Sequence, residues 1–143
     1  MGRRMVAVCP PPEGDAVVVP IPTTSRRRRV RGYNQARVLA EVVARELGVA
    51  MVEALDRPSG GTQVRLGPRE RRSNVQGSFR VIPSSCSRIR GPGVILIDDV
   101  LTTGATALSA ASALGEKGAK SVHLLTFARA LPFGVEGCRA PLR

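Results

Sequence analysis

The chain has 143 residues, a length that suits one domain with its own core, and 43% of the residues are hydrophobic. Its 22 lysines and arginines outnumber its 11 acidic residues, so the formal net charge is +11. No apolar run approaches the roughly 20 residues of a membrane-spanning helix, and no signal-peptide core follows residues 1–4. The sequence therefore predicts a cytoplasmic protein without a membrane span. Three scattered cysteines, Cys9, Cys86 and Cys138, fit neither a disulfide framework nor a zinc site.

The excess positive charge is nearly all arginine, which fits either a polyanionic partner or only a genome bias towards arginine. Such a surface attracts nucleic acid or a small polyphosphate through counterion release. Stacking on nucleic-acid bases has little support, because the aromatic residues are Tyr33 and three phenylalanines, and none is interleaved with the basic runs. Charge alone leaves both nucleic acid and a small polyphosphate open.

The first half of the chain predicts a strand, a helix and a second strand after an irregular lead-in over residues 1–15. A β-branched run at residues 16–19 stops at Pro20, which suits a buried strand whose end turns sharply. A helix follows from Asn34, a fair N-cap, to Gly48, a good C-terminal stop. Its apolar face comprises Ala36, Leu39, Ala40, Val43 and Leu47. A strand over residues 50–54 completes the first βαβ unit.

The second half predicts another βαβ unit after a long connection. Prolines and glycines among arginines predict a mobile loop over residues 57–77, followed by a strand at 78–82 and a polar spacer at 83–92. The apolar run at residues 94–97 predicts a buried parallel strand, since a strand covered on both faces lacks polar alternation. A helix at 105–117 and a strand at 121–128 follow, and residues 130–143 predict a surface tail. The helix has two candidate packing stripes, one with Leu108, Ala111, Ser112 and Gly115, the other with Ala107, Ala111, Leu114 and Gly118.

The residues best suited to bind a ligand follow the end of the buried strand, at residues 98–106. A hydroxyl-rich loop opens the helix there, and the backbone N–H groups and macrodipole of a helix start favour a phosphate. Gly104 lets the backbone approach that phosphate closely. Asp98 and Asp99 cannot bind a phosphate themselves, so they suit the hydroxyl groups of a sugar or a metal-bound sugar. A ribose 5-phosphate satisfies both requirements.

Other site types fit this stretch poorly. The chain has neither the Gly-x4-Gly-Lys of a Walker loop nor the Gly-x-Gly-x-x-Gly of a dinucleotide site. A response-regulator receiver domain also begins with paired acids, but it needs a later phospho-accepting aspartate, and no Asp follows Asp99. An ordinary strand, turn and capped helix is the plain alternative. His123, the one histidine, lies within a predicted strand, where a structural role is more common than a catalytic one.

Two motifs give the chain a family resemblance. Residues 97–106 resemble the phosphoribosyl pyrophosphate (PRPP) signature of type I phosphoribosyltransferases, and residues 29–36 resemble the Arg-x-Arg-Gly-Phe-Asn-Gln-Ala motif of their ComF (competence protein F) branch. A third set follows the order of ComF phrases: Arg57, Thr62, Gln63, Leu66, Glu70, Arg71, Asn74, Val75 and Phe79. The resemblance spans about residues 16–129. It implies an α/β type I phosphoribosyltransferase fold with a mainly parallel sheet flanked by helices.

The resemblance also implies a role for each site residue. In that family the acid pair contacts the ribose, which makes Asp98 and Asp99 the expected catalytic residues. The 5-phosphate is expected on Thr102, Thr103, Gly104, Ala105 and Thr106. Pyrophosphate is expected against Arg29, Arg31, Gly32, Asn34 and Arg71, with Mg²⁺ that comes with PRPP and has no direct protein ligand.

The implied activity is transfer of 5-phosphoribosyl from PRPP, with release of pyrophosphate, to an acceptor that the sequence leaves open. The alternative is a non-catalytic competence or DNA-uptake component that uses the same fold. Single-stranded DNA, competence proteins or a second copy in a homodimer are then candidate partners. ComF proteins commonly carry an N-terminal cysteine zinc module, whereas only Cys9 lies in the first part of this chain. The zinc module is therefore expected to be absent or supplied by another chain.

Overall fold

A computed structural model describes residues 5–7, 14–23, 32–57 and 79–130 of the chain. In chain order its elements are β1 (Ala16–Pro20), α1 (Gln35–Leu47), β2 (Ala50–Met51), β3 (Leu55–Asp56), β4 (Arg80–Val81), α2 (Cys86–Ile89), β5 (Gly93–Leu101), α3 (Ala105–Glu116) and β6 (Ser121–Arg129). A four-stranded parallel sheet has the order β2-β1-β5-β6, and β3 pairs antiparallel with β4 in a separate sheet. The mainly parallel sheet flanked by helices confirms the predicted α/β class.

Strand β5 lies inside the sheet and is covered on both faces. Residues 94–97 are at most 4% exposed. Val94 and Leu96 pack in the core cluster that contains α3, whereas Ile95 and Ile97 pack in the cluster that contains α1. Alternate side chains of a strand point to opposite faces, so the two helices cover opposite faces of the sheet. The buried parallel strand is confirmed, and it continues past Ile97 to Leu101.

Helix α1 has the predicted ends, and its predicted apolar face packs on the core, although Leu47 is only half-buried. The side chain of Asn34 caps its start by accepting a hydrogen bond from the backbone N–H of Ala36, and Gly48 ends it in the left-handed conformation at φ 69°. The buried residues are Ala36, Leu39, Ala40, Val43 and Ala44. On the outer face Arg37 pairs with Glu41 at 3.1 Å and with Glu53 at 2.8 Å. Both pairs are exposed and contribute little to stability.

Helix α3 turns one of its two candidate stripes towards the sheet. Ala107 and Leu114 are buried, together with Ser109 and Ala110, and Leu114 is 0% exposed. Leu108, from the other stripe, is 71% exposed. The stripe with Ala107, Ala111 and Leu114 therefore makes the core contact, and its small residues let the helix approach the sheet closely.

Two segments differ from the sequence prediction. The strand predicted at 50–54 pairs in the parallel sheet only as β2, because the chain then leaves the sheet and pairs with β4 as β3. The spacer predicted at 83–92 contains a 3₁₀ turn (Pro83–Ser85) and α2, whose Ile89 is 0% exposed within the core. A single apolar residue among polar ones gives no periodic signal, so the core role of Ile89 was missed.

The turn between α3 and β6 closes the amino edge of the sheet. The backbone N–H of Lys120 donates to the Pro92 carbonyl at 3.1 Å, and that of Gly91 donates to the Gly118 carbonyl at 2.9 Å. Lys117, just after α3, is exposed like Lys120. This turn therefore lies at the edge opposite to the carboxyl ends of the strands.

The predicted loop at 57–77 lies outside the described residues except for Arg57, and so does the predicted tail except for Ala130. The domain limits stay predictions. Across the described segments, no helix combines the length and apolarity that a bilayer span requires.

Two leucines of α3 test which stripe packs on the sheet. Leu114→Ala should lower the free energy of unfolding by about 2–5 kcal/mol, because it removes a fully buried side chain and leaves a cavity. Leu108→Ala makes the same chemical change at an exposed position and should stay within about 0.5 kcal/mol of the wild type. Urea unfolding of the two variants measures both values. Equal losses would contradict the orientation of α3.

Candidate functional site

A cavity of about 390 Å³ opens at the carboxyl edge of the parallel sheet. Its wall comes from the segments after β1 and β3, the end of β5 and the first turns of α1 and α3. The predicted site residues that line it are Asn34, Asp98, Asp99, Thr102, Gly104 and Thr106. The structure thus brings residues from two separate motifs to one cavity, as the topology of parallel strands predicts.

The two carboxylates are held by the backbone at the end of β5. An oxygen of Asp98 accepts a hydrogen bond from the backbone N–H of Asp99 at 2.9 Å, and an oxygen of Asp99 accepts one from the N–H of Val100 at 2.9 Å. Both residues are half-buried. An ionised carboxylate has about four acceptor sites, so each group can also accept the hydroxyl donors of a sugar.

The loop after β5 presents the start of α3 to the cavity. Gly104 has a φ of 81°, and the first intrahelical bond runs from the N–H of Leu108 to the Gly104 carbonyl at 2.8 Å. Within the part of the chain that is described, no side chain caps this helix, although the N–H of Ala105 contacts the Thr103 hydroxyl at 3.4 Å. Thr106 lines the cavity at the helix start, where backbone N–H groups and the macrodipole favour an anion.

The start of α1 opens onto the same cavity. Asn34 accepts from the N–H of Ala36 at 3.2 Å, and its side-chain amide donates to the Ile21 carbonyl at 3.1 Å. One side chain therefore joins the segment after β1 to the first turn of α1. Gln35 and Ala36 line the cavity, and the first intrahelical bond of α1 begins only at the N–H of Val38. Two helix starts, each with the positive end of a macrodipole, thus face one cavity.

Arg57 lines the cavity, and nothing in the sequence alone indicates this position. Its guanidinium lies 5.3 Å from the ring centroid of Phe79, which is 4% exposed. This cation–π contact holds the arginine where the chain leaves β3. Both residues belong to the ComF-like set, but nothing in their spacing shows that they touch. Tyr33, which belongs to the motif at residues 29–36, also lines the cavity.

The other predicted site residues divide into two groups. Thr103 and Ala105 belong to the loop that opens α3 but do not line the cavity, and Gly32 precedes Tyr33 with a φ of 78°. Arg29, Arg31 and Arg71 lie outside the described residues, so their pyrophosphate role stays a prediction. His123 is exposed in β6 and does not line the cavity.

The donor set at the cavity suits a cation that arrives with its ligand. Among the described residues, no group of three or more His, Cys, Asp and Glu side chains could hold a metal ion. Mg²⁺ is commonly bound through one or two carboxylates together with substrate phosphates and waters. A carboxylate pair beside two helix starts fits that arrangement.

The chain is similar in sequence to a known domain family and to several bacterial proteins. The profile of the family described as "Phosphoribosyl transferase domain" matches residues 33–131. Competence protein ComFC of Bacillus subtilis is 39% identical over 125 residues, which cover 82% of this chain and 46% of that protein. The DNA utilization protein YhgH of Salmonella typhi is 33% identical over 117 residues, covering 80% and 49%. Competence protein F of Haemophilus influenzae is 30% identical over 115 residues, covering 79% and 50%. The chain spans about half the length of these relatives.

Two solved structures share the fold. One, described as the allosteric regulatory enzyme of purine biosynthesis, aligns with a TM-score of 0.58 at 22% identity over 87% of this chain and 24% of the other. The other, a glutamine PRPP amidotransferase from B. subtilis, aligns with a TM-score of 0.58 at 19% identity over 86% and 24%. At these identities the likeness shows the fold alone.

A substitution at Gly104 tests the start of α3 as an anion site. Gly104→Ala should cost about 1–2 kcal/mol of stability, because alanine is strained at this positive φ. Any shift of the loop also moves the N–H groups, so the affinity for ribose 5-phosphate should fall by about tenfold or more.

The matched control is Gly48→Ala, which has a similar φ of 69°, ample space for a Cβ, and a position at the far end of α1. It should cost similar stability and leave the affinity unchanged in calorimetric titration. Equal affinities in the two variants would contradict the assignment.

Proposed function

Because this chain belongs to the phosphoribosyl transferase domain family, as the motifs predicted, we propose that it binds PRPP with Mg²⁺ and transfers the 5-phosphoribosyl group to an acceptor. The single observation that supports this most strongly is the carboxylate pair in one cavity with the starts of α1 and α3. The confirmed type I phosphoribosyltransferase fold and ComF resemblance agree with it.

The chemical groups of PRPP correspond to the groups around the cavity. Its 5-phosphate suits the start of α3, and its ribose hydroxyls suit Asp98 and Asp99. Its pyrophosphate suits the start of α1 and the guanidinium of Arg57, both of which favour anions. The volume of about 390 Å³ lies within the range of about 300–1,000 Å³ that small-molecule sites usually have.

The proposed reaction breaks the bond between C1′ of the ribose and the pyrophosphate oxygen, and forms a bond from C1′ to the acceptor. Negative charge grows on the pyrophosphate while the ribose becomes positive. Mg²⁺ bound with PRPP would neutralise the leaving group, and Arg57 would assist it. Asp98 and Asp99 would orient the ribose through its hydroxyls and stabilise its developing positive charge, since fixed groups act strongly where charge develops.

Calorimetric titration of PRPP with Mg²⁺ tests the carboxylate pair. The double variant Asp98→Asn with Asp99→Asn should bind at least about tenfold more weakly than the wild type, because amides accept weaker hydrogen bonds from the ribose hydroxyls than carboxylates do.

The control variant, Asp15→Asn with Glu116→Gln, removes the same two charges at exposed positions near the amino edge of the sheet. It should bind like the wild type. If both variants bind PRPP as tightly as the wild type, the assigned site is wrong. If even the wild type does not bind, the PRPP proposal fails.

A second candidate is handling of single-stranded DNA. The names of the relatives, competence and DNA utilization proteins, favour it, and so does the net charge of +11. A basic surface binds nucleic acid without sequence preference, independently of a small-molecule cavity. Competence proteins as partners, a homodimer and a cytoplasmic location stay predictions.

The salt dependence of DNA binding separates the two candidates. A fluorescent 20-nucleotide oligothymidine should bind with a slope of log K against log salt of about −3 to −4, as for about four to six neutralised phosphates. The Asp98→Asn and Asp99→Asn variant should bind it as tightly as the wild type. An absence of binding at low salt would contradict the DNA candidate.

A further inference from the structure

Tyr33 presents an exposed aromatic ring on the wall of the cavity. Its side chain is 53% exposed, and it is the single tyrosine of the chain. Among the described residues that line the cavity, it is the one aromatic residue. Aromatic rings are usually kept from water by packing, whereas this residue is exposed and lines the cavity.

The backbone that carries Tyr33 is well fixed. Asn34, the next residue, bonds both to the Ile21 carbonyl at 3.1 Å and to the N–H of Ala36 at 3.2 Å. Gly32, the preceding residue, has a φ of 78°, a conformation that other residues adopt with strain. The hydrogen bonds of Asn34 therefore tie the backbone next to Tyr33 to the segment after β1, at the cavity.

Apolar residues from the segment after β1 share the cavity lining with Tyr33. Ile21 and Pro22 also line the cavity, and Ile21 is only 4% exposed. Phe79 cannot play the same part, because it is 4% exposed and Arg57 lies over its ring. Tyr33 is therefore the described lining residue that offers an exposed aromatic side chain to a ligand.

We propose that Tyr33 is the residue on which the nucleobase of the ligand stacks. The inference rests on the proposed function, in which the acids and the start of α3 take the ribose 5-phosphate and the base is joined at C1′. Stacking of a base on an aromatic side chain strengthens binding about 5- to 150-fold and depends little on which base it is. Tyr33 would thus select a nucleobase as acceptor over a non-aromatic nucleophile.

The experiment compares ribose 5-phosphate with AMP, which adds a base to the same sugar phosphate. The ratio of the two affinities, measured by calorimetry, isolates the contribution of the base. In the wild type AMP should bind about 5- to 150-fold more tightly. In Tyr33→Ala this ratio should fall close to one, while the affinity for ribose 5-phosphate stays unchanged.

Two further variants test whether the effect depends on the aromatic ring. They control for misfolding and for the loss of any exposed apolar side chain. Tyr33→Phe keeps the ring and should keep the ratio. Val38→Ala shortens another exposed apolar side chain, 44% exposed on α1 and outside the cavity lining, and should also keep it. Urea unfolding establishes that each variant is folded before its affinities are compared.

The possible outcomes distinguish failure of the stacking role of Tyr33 from failure of the proposed function. If the wild type binds neither ligand, the proposed function fails and the inference fails with it. If ribose 5-phosphate binds but AMP binds no more tightly, or if Tyr33→Ala weakens both equally, only the stacking role is overturned. If Tyr33→Ala weakens oligothymidine binding and leaves the AMP ratio unchanged, the ring serves single-stranded DNA, and the proposal is again overturned.

Discussion

The complete burial of four consecutive apolar residues in β5 constrains the rest of the structure. Val94 and Leu96 need cover on one face of the sheet, and Ile95 and Ile97 need it on the other, so β5 requires a helix on each side and a strand at each edge. The same burial determines where the chain emerges from the core. The two aspartates come directly after the last buried residue and reach the carboxyl edge, where ligands of open α/β sheets bind.

The neighbouring strands β1 and β5 run parallel, and their shared direction determines which helix ends contribute to the electrostatics of the cavity. Each is followed by a connection that leads into a helix, so the starts of α1 and α3 face the same space. Asp98 and Asp99 contribute negative charge to a lining that otherwise favours anions through helix dipoles and Arg57. The cavity therefore suits a ligand with both hydroxyl and phosphate groups better than a simple anion.

Much of this arrangement could be predicted because its signals are local. The ends of α1 follow from the capping chemistry of Asn34 and the left-handed preference of glycine at Gly48, and the buried run of β5 needs no distant partner to be recognised. Other features depend on contacts between distant residues. Val52 lies just past β2, where it is 2% exposed and still donates its backbone N–H to the Val18 carbonyl at 2.8 Å, so its apolar character resembles that of a longer strand. Ile89 becomes a core residue only through tertiary packing, and Arg57 reaches the cavity through its contact with a phenylalanine 22 positions later.

The closed amino edge of the sheet has a practical consequence for chemical attachment. Lys117 and Lys120 are the only lysines among the 22 basic residues, and both lie in the turn between α3 and β6. A helix of 12 residues such as α3 is about 18 Å long, so its far end is well separated from the cavity at its start. Amine-directed labels on lysine, or immobilisation through lysine, would therefore leave the cavity facing away from the dye or the support.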